Sequence, residues 1–480
     1  MNNLDSEKLE KDHLLSGKGY LFQIDFLKAA MIFLVIFDHF VAWSIKSEIA
    51  ASLWERISIP IFLVIIGFNM GLSFQREGAS TLKELYSWKY FKKKIFRYLV
   101  PFLILYAAST FIGLFMYGFD PEAMYYGQFY PEHGPINYFI GYLPFWGPGN
   151  WFLPVIFGSI LLLPLLYWVF TKSKILALVS CFVIEFIMQV ITFFLIGDIT
   201  SWEELHIYNI IVTSVVFNLS GIGLGMWFSF GYKLTSKRNA FMWILFPISL
   251  IYIIFYQFFD LRIEIDGTRF LMGDYHFLFI PYSAFLVLLA LQFIPNKSNL
   301  RISKGIKSIS RATYHILLTQ ILGFGMITAW WGTHYGMDLP FNPFDIIDLI
   351  LLWILFIGFG TLWYKIDLLK NLPRRILYYI NFFVVFPCLL FLSFWMQGLW
   401  IPLPLIVIIL YALAALMIHY VIKEPLPTKV LSVWTLLIFI SFILMVLQIE
   451  LLSASLHWIL NVPIGIYIVF AVLYTGYYYK

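Results

Sequence analysis

Residues 25–40 read DFLKAAMIFLVIFDHF, a stretch apolar enough to cross a bilayer that still carries Lys28, Asp38 and His39 in or beside it. Many similar runs of about 18–24 apolar residues follow, which is the length that crosses a hydrocarbon core as a helix. Across the chain 61% of the residues are hydrophobic and only 12% are charged. Since a soluble domain carries about a quarter charged residues, the sequence predicts an all-α, polytopic bundle of transmembrane helices.

The apolar runs predict about fourteen spans. Residues 1–20 are polar and lack a small-residue cleavage site, so we expect a cytoplasmic tail and no signal peptide. The composition of the spans changes near residue 370. Ten spans that contain scattered polar residues form a functional core (21–370), and four spans with fewer polar residues are appended to it (371–480). The spans are expected to start near residues 22, 56, 98, 151, 176, 207, 239, 276, 312, 345, 376, 401, 432 and 456.

The distribution of Lys and Arg predicts the orientation, because cytoplasmic loops of membrane proteins are enriched in both. With the N-terminus inside, nearly all of the 32 basic residues lie on the cytoplasmic side, and both termini are cytoplasmic. We therefore expect a multi-pass protein of the cell membrane whose net charge of +5 faces membrane lipids and cytosolic anions, not nucleic acid. The basic residues left outside are Lys46, Arg56, Arg262 and Arg269.

Lys28 and His39 share one face of the first predicted helix. The eleven-residue step from Lys28 to His39 rotates about 20° beyond three full helical turns and separates the two residues by ~16.5 Å along the helix axis. Asp25 lies on the same stripe and is expected to pair with Lys28, whereas Asp38 points about 100° away from His39. One interpretation is a snorkelling lysine and a histidine satisfied by a neighbouring helix. The other is a channel with a cation for an anionic ligand inside and an acid/base group further out.

The same stretch resembles the first helix of the acyltransferase family 3 membrane proteins, which carry an arginine or lysine, ten residues, and then a histidine. Departures from the family are Lys28 and Lys94 in place of the commoner arginine, Ile66 in place of serine and Gln320 in place of histidine. Four later segments resemble the family in the same order: IPIFLVIIGF (59–68), YFKKKIFRYLVPF (90–102), GNWFLPVIFGSILLLPLL (149–166) and ISRATYHILLTQ (309–320).

The resemblance implies an O-acyltransferase that moves an acyl group, usually acetyl, from cytosolic acyl-CoA to a hydroxyl of an extracytoplasmic glycan or lipid-linked sugar. Lys28, Lys94 and Arg97 would hold the phosphates of CoA, although ordinary positive-inside anchoring also explains the basic cluster. His39 would be the general base or a transient acyl carrier. Asp38 would assist His39 only if the backbone let it turn.

Weaker candidates complete the expected site. Asn150 and Trp151, at the outer start of the fourth span, would hold the acceptor. Glu185 is either a secondary catalytic carboxyl or a group that packs helices together, and Tyr314 beside His315 is a further substrate-binding candidate. No metal-ligand spacing is present, so we expect no metal. The main rival function is a transporter or flippase for a glycan, but the chain shows no half-to-half repeat.

Overall fold

Helices dominate the computed structural model of the protein, and the strands within the described residues form one antiparallel pair, Glu264–Ile265 (β1) with Thr268–Arg269 (β2). The predicted all-α class is therefore confirmed. The predicted tail 1–20 and most of the appended segment 371–480 lie outside the described residues. The structure describes residues 21–41, 43–116, 149–196, 208, 210–265, 268–271, 275–295, 302–335, 346–370, 372, 375, 376 and 379.

Thirteen α-helices are bounded within these residues. Shorter turns interrupt them, with 3₁₀ turns at Ala51–Leu53, Val215–Asn218 and Lys237–Asn239 and a π-helical turn at Ile95–Leu99. The helices are α1 Phe22–Phe40, α2 Trp43–Glu48, α3 Ser58–Glu77, α4 Leu82–Leu85, α5 Trp88–Lys94, α6 Val100–Met116, α7 Phe152–Lys172, α8 Lys174–Ile196, α9 Leu219–Ser229, α10 Met242–Phe259, α11 Ile280–Phe293, α12 Ile302–Tyr335 and α13 Ile346–Asp367.

Each of the first ten predicted spans overlaps one of these helices. Two starts differ by ten residues or more, since α9 starts at Leu219 and not near 207, and α12 starts at Ile302 and not near 312. The basic stretch before residue 312 contains Lys and Arg, which are good helix formers, so the helix continues into polar sequence. Helical stretches long and apolar enough to cross a membrane, within the described residues, are Ala51–Glu77, Leu82–Leu114, Phe152–Lys172, Lys174–Ile196 and Lys237–Phe259.

The chain divides into two compact units. The first contains α1 to α5, most of the chain from α7 to α11, and the start of α12. The second contains most of α6, the remainder of α12, and α13. Their limits are Met1–Phe102, Tyr130–Tyr142 and Pro148–Thr313 for the first unit, and Leu103–Phe129, Leu143–Gly147 and Tyr314–Lys480 for the second.

The core of the first unit is built on α3 packed directly against α9. A Cβ added to Gly67 would lie 2.0 Å from the carbonyl oxygen of Ile222, and one added to Gly225 would lie 1.9 Å from that of Val64. Only glycine permits this approach, and close packing through small residues is what holds helices together in lipid, where no hydrophobic force does so. Helices α1 and α11 pack on α3, and α8 packs on α9.

In the second unit, α12 and α13 also approach each other closely at glycine residues. A Cβ added to Gly360 of α13 would lie 2.5 Å from the Cα of Ile316 on α12. Phe356 of α13 fills the space beside Gly323 of α12, where an added Cβ would lie 2.3 Å from its ring.

Candidate functional site

The C-terminal end of α1 carries a charged cluster around His39. Helix α2 follows α1 in the chain, and its Lys46 binds the end of α1 twice. Its Nζ donates to Oδ1 of Asp38 at 2.6 Å and to the backbone carbonyl of Asp38 at 2.9 Å. The last carbonyls of a helix lack intrahelical partners, so Lys46 both neutralises the carboxylate and caps α1.

Beside this cluster lies a polar cavity of about 240 Å³. Trp151 and Tyr275 form one wall, with their rings stacked at a centroid distance of 5.8 Å and an interplanar angle of 20°. His39 and Asp38 therefore face the same space as an aromatic platform. The cavity is lined by Asp38, His39, Lys46, Arg56, Trp151 and Tyr275, together with Val35, Ser58 and Ile59.

Asp38 and His39 meet at this cavity although the helical wheel separates them. Nδ1 of His39 lies 3.6 Å from Oδ2 of Asp38, a distance too long for a hydrogen bond but short enough for an ion pair when the imidazole is protonated. Both residues lie in the last turn of α1, which ends at Phe40. Neighbouring side chains in that turn border one space.

Two further charged residues adjoin the cluster. Glu55 and Arg56 follow the 3₁₀ turn that precedes α3, and Arg56 reaches the cavity with its guanidinium carbon 5.0 Å from the centroid of the Tyr256 ring. Glu55 is completely buried. Its carboxyl lies within electrostatic reach of Asp38, Lys46 and Arg56.

The other half of α1 carries a group of cations. Lys28 is half-buried and lies within electrostatic reach of Arg97 and Asp25. The expected pairing of Asp25 with Lys28 is wrong, because Asp25 accepts a hydrogen bond from the hydroxyl of Ser310 on α12 instead. No carboxylate of the described residues lies within 4 Å of Lys28, so this cation keeps its positive charge uncompensated by an ion pair.

Lys94 and Arg97 extend this group along α5 and the π-helical turn after it. Lys94 is buried, with its Nζ 2.8 Å from Sδ of Met70 and 5.5 and 5.6 Å from the ring centroids of Tyr90 and Tyr98. Arg97 is exposed within the π-helical turn, and such turns often redirect side chains at functional sites. We call Lys28, Lys94 and Arg97 the inner cation cluster.

A comparison with known protein families gives one match. The family model described as an acyltransferase domain, of acyltransferase family 3, matches residues 21–364. The chain belongs to this family. The predicted resemblance is confirmed, and together with the apolar helices it makes the protein a multi-pass membrane acyltransferase. No curated protein and no solved structure gives a significant match.

In this acyltransferase, Trp151 and Asn150 occupy the turn before α7. Trp151 lies in the cavity wall as described above. Asn150 is buried, and neither its amide oxygen nor its amide nitrogen has a hydrogen-bond partner among the described residues. It does not belong to the cavity lining, so its predicted role in binding the acceptor stays a prediction.

Glu185 of the acyltransferase lies away from the cavity lining, in the contact between α8 and α9. Its Oε2 accepts a hydrogen bond of 2.7 Å from the backbone N–H of Ser220, one of the unpaired donors in the first turn of α9. This arrangement caps α9 and fits the packing role that the sequence left open beside the catalytic one. Gln189, four residues further along α8, is also fully buried.

Tyr314 and His315 belong to the second unit of the acyltransferase. The two rings lie edge to face at 6.1 Å. Nε2 of His315 lies 2.7 Å from Oδ2 of Asp367 at the end of α13, and the Tyr379 hydroxyl also bonds to Asp367. Tyr314 does not line the cavity that contains His39, so a role in substrate binding stays a prediction.

The sequence patterns assign no site role to Glu55, Lys46, Arg56 or Tyr275. A signal for two of them was present, since Lys46 and Arg56 are among the few basic residues on the predicted outer side, where the positive-inside rule disfavours them. Glu55 and Tyr275 carry no comparable signal, because their positions depend on how α1, α3 and the segment before α11 meet.

Proposed function

We propose that this protein is an O-acyltransferase of the cell membrane that moves an acyl group, acetyl as is usual in the family, from cytosolic acyl-CoA to a hydroxyl of an extracytoplasmic polysaccharide or lipid-linked glycan. One observation carries the proposal. A single helix, α1, has an uncompensated lysine near one end and, near the other, a histidine that faces a polar cavity with an aromatic wall. This arrangement supports transfer between the two faces of a membrane.

The inner cation cluster supports an anionic donor. These cations have no carboxylate of the described residues within ion-pair distance and repel one another, and a phosphorylated ligand relieves that repulsion through charge-assisted hydrogen bonds. Lys28 and Arg97 interact electrostatically, as do Lys94 and Arg97. Within the proposal these three side chains hold the phosphates of acyl-CoA on the cytosolic side.

The cavity supports a sugar acceptor. Aromatic side chains with a polar edge combine apolar contact area with hydrogen bonding, and the stacked pair of Trp151 and Tyr275 presents such a surface beside His39. The volume of about 240 Å³ is below the usual range of about 300–1,000 Å³ for sites of drug-sized ligands, so it suits one sugar unit of a longer glycan.

The proposed reaction needs only a proton carrier and a positioned donor. With Asp38 beside Nδ1, Nε2 of His39 takes the proton of the acceptor hydroxyl as its oxygen attacks the thioester carbonyl. The C–S bond then breaks, and the imidazolium returns its proton to the CoA thiolate. The products are an acyl ester and free CoA thiol. The negative charge of Asp38 stabilises the imidazolium between these two steps.

Surface glycan from a gene-deletion strain tests this function against export. A transferase deletion is expected to leave the glycan at the surface without its ester-linked acyl groups, whereas loss of an exporter would remove the glycan itself. Reintroducing the wild-type gene should restore the esters, and reintroducing His39→Ala should not. Unchanged ester content in the deletion strain would contradict the proposal.

A further inference from the structure

We propose that the N-terminus of α3 is the oxyanion site of this acyltransferase, where the Ser58 hydroxyl and the Ile59 backbone N–H bind the carbonyl oxygen of the acyl group. The inference rests on the proposed function and adds a contact to the reacting carbonyl that the proton carrier does not make. His39, Ser58 and Ile59 all border the same cavity of about 240 Å³.

The Ser58 hydroxyl lacks an internal partner. Ser58 is the first residue of α3, and only 1% of it is exposed. Its hydroxyl makes no hydrogen bond to any described residue. Buried serines elsewhere in the helices, such as Ser159 and Ser229, donate to a carbonyl of the preceding turn at 2.6 and 2.7 Å. Because buried polar groups nearly always have a partner, an unpartnered hydroxyl beside a cavity indicates that a ligand supplies one.

The Ile59 N–H is a second donor at the same place. The first N–H groups of a helix have no intrahelical acceptor. In α3 the N–H of Ser58 donates to the carbonyl of Glu55 at 3.0 Å, and Pro60 has no N–H. Between them, the N–H of Ile59 has no acceptor among the described residues. Two adjacent residues that border the cavity therefore each carry an unused donor.

The end of α3 also provides a favourable potential for an anion. The peptide dipoles of a helix sum to a partial positive charge at its N-terminus, and α3 is 20 residues long. Lys46 and Arg56 border the same cavity and add positive charge. Because the helix backbone holds Ser58 and Ile59 in place, their donors need little rearrangement when charge develops on a substrate oxygen.

In the proposed reaction these donors act as the acceptor oxygen forms its bond to the thioester carbon. The π electron pair of the carbonyl moves to its oxygen, which becomes an oxyanion, while His39 takes the proton of the acceptor hydroxyl. Ser58 and Ile59 donate hydrogen bonds to the oxyanion. The electron pair then re-forms the C=O bond, the C–S bond breaks, and the CoA thiolate receives the proton from His39.

Ser58→Ala and Ser159→Ala are a matched pair of buried substitutions for the test. Loss of one oxyanion donor should lower the kcat of acyl transfer about a hundredfold, with both KM values within about threefold of wild type. The Tm of Ser58→Ala should not fall, because its hydroxyl has no internal bond to lose. Ser159→Ala should show the reverse, a wild-type kcat with a lowered Tm, because its hydrogen bond to Val155 is lost and Ser159 does not border the cavity.

Two results with these variants would overturn the inference. One is a wild-type kcat in Ser58→Ala. The other is a loss of kcat together with a lowered Tm, which would give Ser58 a structural role.

Methylphosphonate, a small tetrahedral oxyanion, tests the site without acyl transfer. In titration calorimetry it should bind the purified wild-type protein and bind Ser58→Ala about tenfold more weakly, since a hydrogen bond to a charged group is lost. Ser159→Ala should bind it as wild type does. No binding to wild type, or equal binding to Ser58→Ala, would overturn the inference. If wild type binds methylphosphonate as expected but transfers no acyl group, the proposed function fails and the anion site of α3 stands.

Discussion

Among single side chains, His39 owes its setting to Lys46, which follows it on α2. Lys46 closes the end of α1 and pairs with Asp38, so that the carboxylate stays next to the imidazole. The eleven-residue spacing between Lys28 and His39 is readable from the sequence because a straight helix fixes it. The position of the Asp38 side chain is not readable from the sequence, since it depends on where α1 ends and on how Lys46 binds that end.

Replacing Lys28 by Met should weaken binding of the donor. Losing one cation from the inner cation cluster removes a charge-assisted contact to phosphate, so the KM for acyl-CoA should rise about tenfold with little change in kcat. Lys28→Arg keeps the charge and should remain close to wild type. Steady-state kinetics with varied acyl-CoA provide the measurement, and an unchanged KM in Lys28→Met would exclude Lys28 from the donor site.

Replacing Trp151 by Leu should weaken binding of the acceptor. The stack with Tyr275 is lost, and the KM for the glycan should increase about three- to tenfold while the KM for acyl-CoA stays constant. Trp243→Leu is a suitable control, because Trp243 is an exposed aromatic on α10 away from the cavity. Equal effects of the two substitutions would contradict the assignment of Trp151 to the acceptor wall.

Among helices, the contact of α3 with α9 determines the shape of the first unit. Hydropathy predicted both helices, since long apolar runs have few alternatives to a helix in lipid. It did not predict their pairing. Gly67 and Gly225 reveal their function only when the opposing backbone is known, because a small residue in an apolar run is compatible with many partners.

Gly225→Ala should destabilise the protein. The new Cβ would lie 1.9 Å from the carbonyl oxygen of Val64, so the two backbones must separate. Overpacking of this kind costs about 1–3 kcal/mol. Gly305→Ala, at a helical glycine with nothing within 4 Å of the added Cβ, is the matched control and should be neutral or stabilising by up to about 1 kcal/mol. Thermal unfolding in detergent measures both, and an unaltered Tm for Gly225→Ala would show that α3 and α9 do not touch there.

For the chain as a whole, the proposed direction of transfer depends on the orientation in the membrane. The sequence predicts this orientation from loop charges alone, and α10 offers a direct test. Lys237 precedes this helix and Glu264 follows it, and both residues are exposed.

Cysteines introduced at these two positions should react from opposite sides. A membrane-impermeant maleimide added to intact cells should label Glu264→Cys, and should label Lys237→Cys only after the membrane is opened. The unaltered protein reports the background from Cys181 and Cys388. Labelling of Lys237→Cys in intact cells would reverse the orientation and, with it, the assignment of donor and acceptor sides.

Acyl transfer by purified protein in liposomes tests the role of His39 in the folded, membrane-embedded protein most directly. With labelled acetyl-CoA and a glycan acceptor, wild type should place the label in an alkali-labile ester on the glycan. His39→Ala should reduce transfer to background while its yield and Tm match those of wild type. Transfer at the wild-type rate by a well-folded His39→Ala protein would contradict the role of His39 as the proton carrier.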